Sequence, residues 1–120
     1  MRRADKDAHK IAITEDGDRQ LGALPARDQR ILEAAIVSRL VHQPTKLSKA
    51  IKRLRSNPLA EFELRVGNLR VLYNVEGKEV VIFVVGRKVG NKLIVEGEEF
   101  YGHQDHPAKP TGKEPREDAE

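Results

Sequence analysis

The chain has 120 residues, of which 38% are hydrophobic and 34% charged, with a net charge of +3 and no cysteine. This length predicts one domain, and the lack of cysteine excludes disulfides, thiolate-bound metals and a thiol nucleophile. The longest apolar run covers only residues 80–85 and the N-terminus lacks the apolar core of a signal peptide, so we expect a soluble, cytoplasmic protein with no membrane partner.

The N-terminal part of the sequence predicts a flexible start, a strand and a short helix. Residues 1–8 are polar and are expected to be flexible. Ile11 and Ile13 then alternate with Lys and Ala, which predicts a strand within residues 9–14. The polar stretch 15–23 is compatible with a short helix before the next element.

A longer helix is predicted over residues 25–42. Pro25 suits the first helical turn, where its missing N–H is not needed, and the run ends at Gln43 and Pro44. Apolar residues between these points recur at the spacing of one helical face: Ile31, Leu32, Ala35, Ile36 and Leu40. This helix therefore has one face for burial against the rest of the domain.

The sequence of residues 45–56 does not decide between a helix and a non-helical segment, and the charge in this part of the chain is uneven. Their apolar residues fit a helical stripe, but Pro58 and the residues before it break the pattern. No acid occurs between Glu33 and Glu61, where the sequence has six basic residues: Arg39, Lys46, Lys49, Lys52, Arg53 and Arg55. Such a block favours an anionic partner, and an ordinary solvated cationic surface is the alternative.

From Glu61 onward the apolar period changes from helical spacing to two, which predicts strands. Two alternating segments flank Gly67 and Asn68, which form a two-residue hairpin loop because glycine readily takes the positive φ that this turn requires. The loop sets a register in which Arg65 lies opposite Arg70.

Two arginines opposite each other need compensation, because like charges across a strand pair are destabilising. One interpretation is a bound polyanion, most simply a phosphate held by the two guanidinium groups. The other interpretation is that Glu63, or an acid from elsewhere in the fold, neutralises them.

The apolar run 80–85 predicts a central strand that brings residues 83–85 beside Arg70. Four basic residues are then expected to cluster at one sheet edge: Arg65, Arg70, Arg87 and Lys88. A focused positive field of this kind suits a nucleic-acid backbone. The predicted nucleic-acid-binding residues are Arg65, Lys49, Lys52, Arg53 and Arg55.

The C-terminal part predicts a last hairpin and a disordered tail. Residues 92–95 and 98–101 flank a turn, whereas residues 103–120 contain no large apolar side chain. We therefore expect a folded domain over residues 9–102. Its fold class is α+β, with an N-terminal strand and one short and one long helix packed on one face of a three- to four-stranded antiparallel meander. No metal site or cofactor is predicted.

Residues 57–75, together with the apolar strand and the Val-Gly-Arg-Lys sequence that ends at Lys88, resemble the RelE/ParE superfamily of type II toxin–antitoxin toxins. The most specific part is the hairpin Glu63-Leu-Arg-Val-Gly-x-x-Arg-Val-x-Tyr73, and the resemblance covers residues 9–95. It implies a RelE-like fold, with helices on an antiparallel sheet, and a cognate antitoxin as partner.

The resemblance also implies site residues. RelE-like members cut mRNA in the ribosome without a metal, and by this similarity Arg70 and Lys88, or Arg87 in place of Lys88, are the candidate catalytic cations. Tyr101 is the candidate acid–base group if the last hairpin folds back toward the basic edge.

Three positions differ from the nuclease members of the superfamily. Their two lysines correspond here to Glu61 and Glu63, and their tyrosine position falls on Ile94. The main hypothesis is a toxin that inhibits translation by RNA binding or by metal-independent mRNA cleavage at the ribosome, neutralised by its antitoxin. The alternatives are a non-catalytic ParE-like toxin that binds DNA gyrase, and a degenerate family member that serves only as a binding module.

Overall fold

The protein is described here by a computed structural model that covers residues 8–55 and 59–100. The predictions of a disordered tail over 103–120 and of flexibility at residues 1–7 therefore lie outside the described residues. The domain bounds 9–102 remain an expectation.

Within the described residues the chain forms two helices and seven strands. In chain order the elements are β1 (Lys10–Ile13), α1 (Glu15–Gly22), α2 (Ala26–Leu40), β2 (Ile51–Arg53), β3 (Phe62–Val66), β4 (Leu69–Glu76), β5 (Glu79–Val89), β6 (Lys92–Val95) and β7 (Glu98–Glu99). The predicted order of a strand, two helices and a run of strands is confirmed.

Both helices begin where local chemistry predicts a start. The Thr14 side chain accepts a hydrogen bond from the Gly17 N–H at 3.0 Å and so caps α1. Helix α2 follows Pro25 directly and buries Leu32, Ile36 and Leu40. Neither helix of the described chain has the length and apolar composition needed to cross a membrane.

The sheet has β5 at its centre. Its strand order is β2-β3-β4-β5-β6-β7, all antiparallel, and β1 pairs in parallel with the first half of β5. Between the parts of β5 that pair with β1 and with β6, the side-chain oxygen of Gln20 accepts a hydrogen bond from the Val85 N–H at 2.9 Å. A side chain of α1 thus satisfies a backbone donor that no strand reaches.

The hairpin register is confirmed, and the register of the next strand pair differs from prediction. Arg65 lies opposite Arg70, as the Gly67-Asn68 loop requires. Arg70, however, lies opposite Gly86 rather than residues 83–85, because β5 carries a bulge next to Leu72 and Tyr73. One extra residue in β5 shifts every later pairing by one.

The two possibilities for residues 45–56 are also decided. Over residues 45–55 most of the chain is irregular, and β2 occupies Ile51–Arg53 on the outer edge of β3. Leu47, which would belong to a buried helical stripe, is 54% exposed. The predicted α+β architecture is confirmed with a larger sheet, because β2, β6 and β7 extend the meander at both sides.

The sheet has two differently covered faces. The helices cover one face, and a core cluster there joins α2 to β3, β4 and β5 through Leu32, Ile36, Leu40, Phe62, Leu64, Val71, Tyr73 and Ile82. The other face, called here the open face, has a smaller cluster formed by Leu54, Ala60, Leu72, Val84, Leu93 and Val95. No helix of the described chain packs on the open face.

Candidate functional site

Strand alternation brings acidic and basic side chains together on the open face. Glu63 and Arg65 point away from the helices because Phe62, Leu64 and Val66 between and beside them pack toward the helical core. Arg70 lies directly across from Arg65 on β4 and shares its face. The three side chains therefore meet at the hairpin end of β3 and β4.

Glu63 is the acidic centre of this cluster and is 0% exposed. Its Oε1 atom accepts a hydrogen bond from Arg65 Nε at 2.9 Å, and its Oε2 atom lies 4.0 Å from Arg70 Nε. One buried carboxylate thus lies between two guanidinium groups that would otherwise repel each other. Of the two interpretations drawn from the sequence, neutralisation by Glu63 is the one that these contacts support.

Arg70 is held mainly by its own hairpin. Its Nη1 atom donates hydrogen bonds to the backbone oxygens of Gly67 at 2.7 Å and Leu69 at 2.9 Å. The side chain is only 11% exposed. Arg70 consequently has a structural role at the turn, whatever it binds.

Arg65 is more accessible than Arg70. Its side chain is 34% exposed and is attached to Glu63 through Nε. In the described chain no acceptor is bound to its two terminal nitrogens. Two terminal N–H donors side by side are suited to paired hydrogen bonds with a phosphate.

Lys88 is on the same face as Arg70, and Arg87 is not. The Lys88 N–H donates to the Asn68 oxygen at 2.7 Å, which places Lys88 beside the hairpin loop. Arg87 projects to the helical side, where its Nη2 atom forms an ion pair with Asp28 Oδ2 at 2.8 Å. The prediction that Arg87 joins the cluster is therefore wrong, because consecutive strand residues face opposite sides and the bulge decides which one faces Arg70.

Of the three family positions occupied by other residues, Glu63 is the centre of this cluster, and Glu61 and Ile94 lie outside it. Ile94 lines a cleft of about 530 Å³ on the helical side, together with Leu24 and Arg87. Glu61 is exposed and paired with Arg53 at 2.7 Å. Tyr101 lies outside the described residues.

The basic block contributes side chains around the outer edge of the sheet. Lys52 lies opposite Glu63 in the β2–β3 register and is exposed on the open face. Arg53 lies with its guanidinium carbon 5.2 Å from the centre of the Phe62 ring. Lys49 and Arg55 are exposed on either side of β2.

Sequence reasoning named Glu63 as a possible counter-charge but missed its burial. The spacing indicates that Glu63 and Arg65 can pair, because they are two residues apart in a strand and share a face. It does not indicate that Glu63 is buried. Leu72, which lies opposite Glu63, is also buried in the smaller cluster, and this packing covers the carboxylate.

The described residues thus form a small α+β domain with two helices on one face of a mostly antiparallel sheet and with cations at the loop end of the β3–β4 hairpin. The chain is similar to the crystal structure of the toxin–antitoxin complex RelBE2 from Mycobacterium tuberculosis, with 25% sequence identity and a TM-score of 0.59. The match covers 68% of this chain and 99% of the matched chain. The resemblance to the RelE/ParE superfamily is thereby confirmed.

No protein-family model matches the sequence, and no curated protein matches it either.

Proposed function

We propose that this protein is the toxin of a type II toxin–antitoxin module and that it inhibits translation by binding RNA on the open face. The observation that carries the proposal is the exposed edge of Arg65, oriented by the buried Glu63 carboxylate. Arg70 and Lys88 add positive charge on the same face, so the cluster has three cations and one acid. Its net positive charge favours a phosphate group.

Phosphate binding, rather than RNA cleavage, is the activity that the described residues support best. A nuclease of this class needs a general acid or base, which typically contributes ~10²–10⁴ in rate. Glu63 is fully buried and ion-paired, Glu61 is paired with Arg53, and Ile94 is an apolar residue on the helical side of the sheet. The geometry of the described residues therefore supports holding a phosphate more strongly than transferring a proton.

An RNA titration tests the proposal. The full chain should bind labelled single-stranded RNA with an affinity that falls linearly on a plot of log K against log salt. Arg65→Gln should weaken binding and relieve the growth arrest caused by expression. Arg30→Gln removes the same charge from an exposed position on α2 and serves as the matched control.

The gyrase alternative predicts a different pattern. A ParE-like toxin would arrest growth and inhibit DNA supercoiling with no need for Arg65. If the chain arrests growth but binds no RNA at low salt, and Arg65→Gln remains toxic, RNA binding is excluded as the mechanism. A chain that neither arrests growth, nor binds RNA, nor inhibits supercoiling would leave only the binding-module alternative.

The antitoxin partner has its own test, based on the similarity to a toxin–antitoxin complex. A protein that binds only the folded toxin raises its apparent stability by mass action. The product of the adjacent gene should therefore copurify with the chain and raise its thermal midpoint. Failure of both would contradict the toxin–antitoxin assignment.

A further inference from the structure

A second basic site lies at the edge of the sheet, away from the Glu63 cluster. It is a concavity of about 220 Å³ between the end of α2, the following loop and the start of β2. Its lining residues are Arg39, Gln43, Lys46, Ser48 and Ile51. Four of these five side chains are polar, and none is acidic.

Both cations in this concavity are available to a ligand. Within residues 8–55 and 59–100, neither the Arg39 guanidinium nor the Lys46 ammonium group forms an ion pair or side-chain hydrogen bond. The sequence has no acid from residue 34 to residue 60 that could neutralise them locally. An anion entering here meets two positive charges and no nearby acid of the same segment.

Ser48 adds a hydroxyl donor to the same site. Its Oγ atom accepts hydrogen bonds from the N–H groups of Ala50 at 3.0 Å and Ile51 at 3.3 Å. Since a serine hydroxyl has two acceptor lone pairs and one proton, both lone pairs are used and the proton is left to donate. Gln43 contributes an amide that forms no side-chain hydrogen bond in the described chain.

The walls of the concavity are fixed by the fold. The Tyr73 hydroxyl donates to the backbone oxygen of Pro44, which ties the loop after α2 to the centre of the sheet. Ile51 is 2% exposed and lies opposite Leu64 on β3. These contacts hold the backbone of the two walls, and the two N–H groups bound to the Ser48 oxygen orient its hydroxyl before a ligand arrives, which lowers the entropy lost on binding.

We propose that this concavity, called here the edge pocket, binds a phosphate group of the RNA backbone. The proposal rests on the RNA-binding function proposed above. The edge pocket is on the helical side of β2, because Arg39 comes from α2 and Ile51 packs in the helical core, so an RNA strand has to pass around this outer strand to reach Arg65 and Arg70 on the open face.

The side chains on β2 support this path. Lys52 lies on the open face of β2, opposite Glu63, between the edge pocket and the arginine cluster. RNA that leaves the edge pocket over β2 therefore meets Lys52 before it reaches Arg65. The edge pocket thus extends the interface beyond the arginine cluster, around the outer edge of the sheet.

The first test uses inorganic phosphate and the full chain. Nuclear magnetic resonance titration should shift the amide signals of Lys46 and Ser48 to saturation, and the double variant Arg39→Gln, Lys46→Gln should abolish the shifts. Arg27→Gln, Arg30→Gln removes two charges from the opposite end of α2 and should retain them. Absence of saturable shifts in the unmodified chain overturns the edge pocket, whether or not the chain binds RNA.

The second test uses single-stranded RNA over a salt series. Loss of one phosphate contact should lower the slope of log K against log salt by about 0.7, equivalent to about fivefold weaker binding at 0.1 M salt. This change is expected for the Arg39→Gln, Lys46→Gln variant, with little change for the α2 control. If the pocket and control variants bind RNA equally, the RNA path is overturned. If the unmodified chain binds phosphate in the pocket but no RNA, the failure lies in the proposed function and the phosphate site stands.

Discussion

Neutralising the buried carboxylate of Glu63 is expected to destabilise the fold strongly. In Glu63→Gln the side chain keeps nearly the same shape, but Arg65 and Arg70 then lie opposite each other with no charge between them. Breaking a buried ion pair by removing one partner typically costs ~3–5 kcal/mol. Arg65 is 34% exposed and recovers some hydration, so we expect the lower end of this range, about 3 kcal/mol.

Urea unfolding of the full chain at neutral pH measures this change directly. The midpoint should fall with an unchanged slope, and the thermal midpoint should fall by about 12–24 °C on the scale of a domain of this size. Glu61→Gln is the matched control, because Glu61 forms an ion pair with Arg53 in which both side chains are about half exposed. Such exposed pairs contribute ~0–1 kcal/mol.

The double variant Glu63→Gln, Arg65→Gln tests whether repulsion between Arg65 and Arg70 causes the loss of stability. Removing Arg65 as well eliminates the repulsion, so it should restore part of the stability that Glu63→Gln alone loses. If Glu63→Gln destabilises the protein no more than Glu61→Gln does, the carboxylate is not the group that holds the arginines together.

Three further substitutions test other parts of the structure. Tyr73→Phe should lower the free energy of unfolding by ~1–3 kcal/mol, because it leaves the buried Pro44 oxygen without its donor. Burial also raises the pKa of Tyr73 above its usual value of about 10. The stability contributed by the neutral hydroxyl is therefore present below about pH 10 and should be lost as the pH rises further. Alkaline denaturation should show a smaller loss for Tyr73→Phe. Gly86→Ala should destabilise the protein by ~1–3 kcal/mol, because its Cβ atom would lie 2.5 Å from a backbone oxygen of β6. Gly22→Ala is the control: its Cβ atom has nothing within 4 Å, so it should be neutral or stabilising in the same urea assay. Arg70→Ala should lower both stability and RNA affinity, since its guanidinium also binds two backbone oxygens of the hairpin, and a variant that keeps full stability would contradict that role.

The sequence by itself determined the elements whose causes are local. Pro25 and the apolar spacing after it located α2, because helix formation depends on neighbours within a few residues. The Gly67-Asn68 loop set the register of β3 and β4, and with it the facing pair of Arg65 and Arg70. Residues 45–56 stayed open at this level, because their strand forms only by pairing with the edge of β3.

Tertiary structure decided which basic residue accompanies the arginines. With an unbroken β4–β5 ladder, Arg87 would share a face with Arg70, but the bulge in β5 reverses the faces and places Lys88 there instead. It also decided that Glu63 is buried between the arginines, since packing around its neighbours covers the carboxylate. A bulge and the covering of one side chain arise from contacts distant along the chain, and local residue patterns do not encode them.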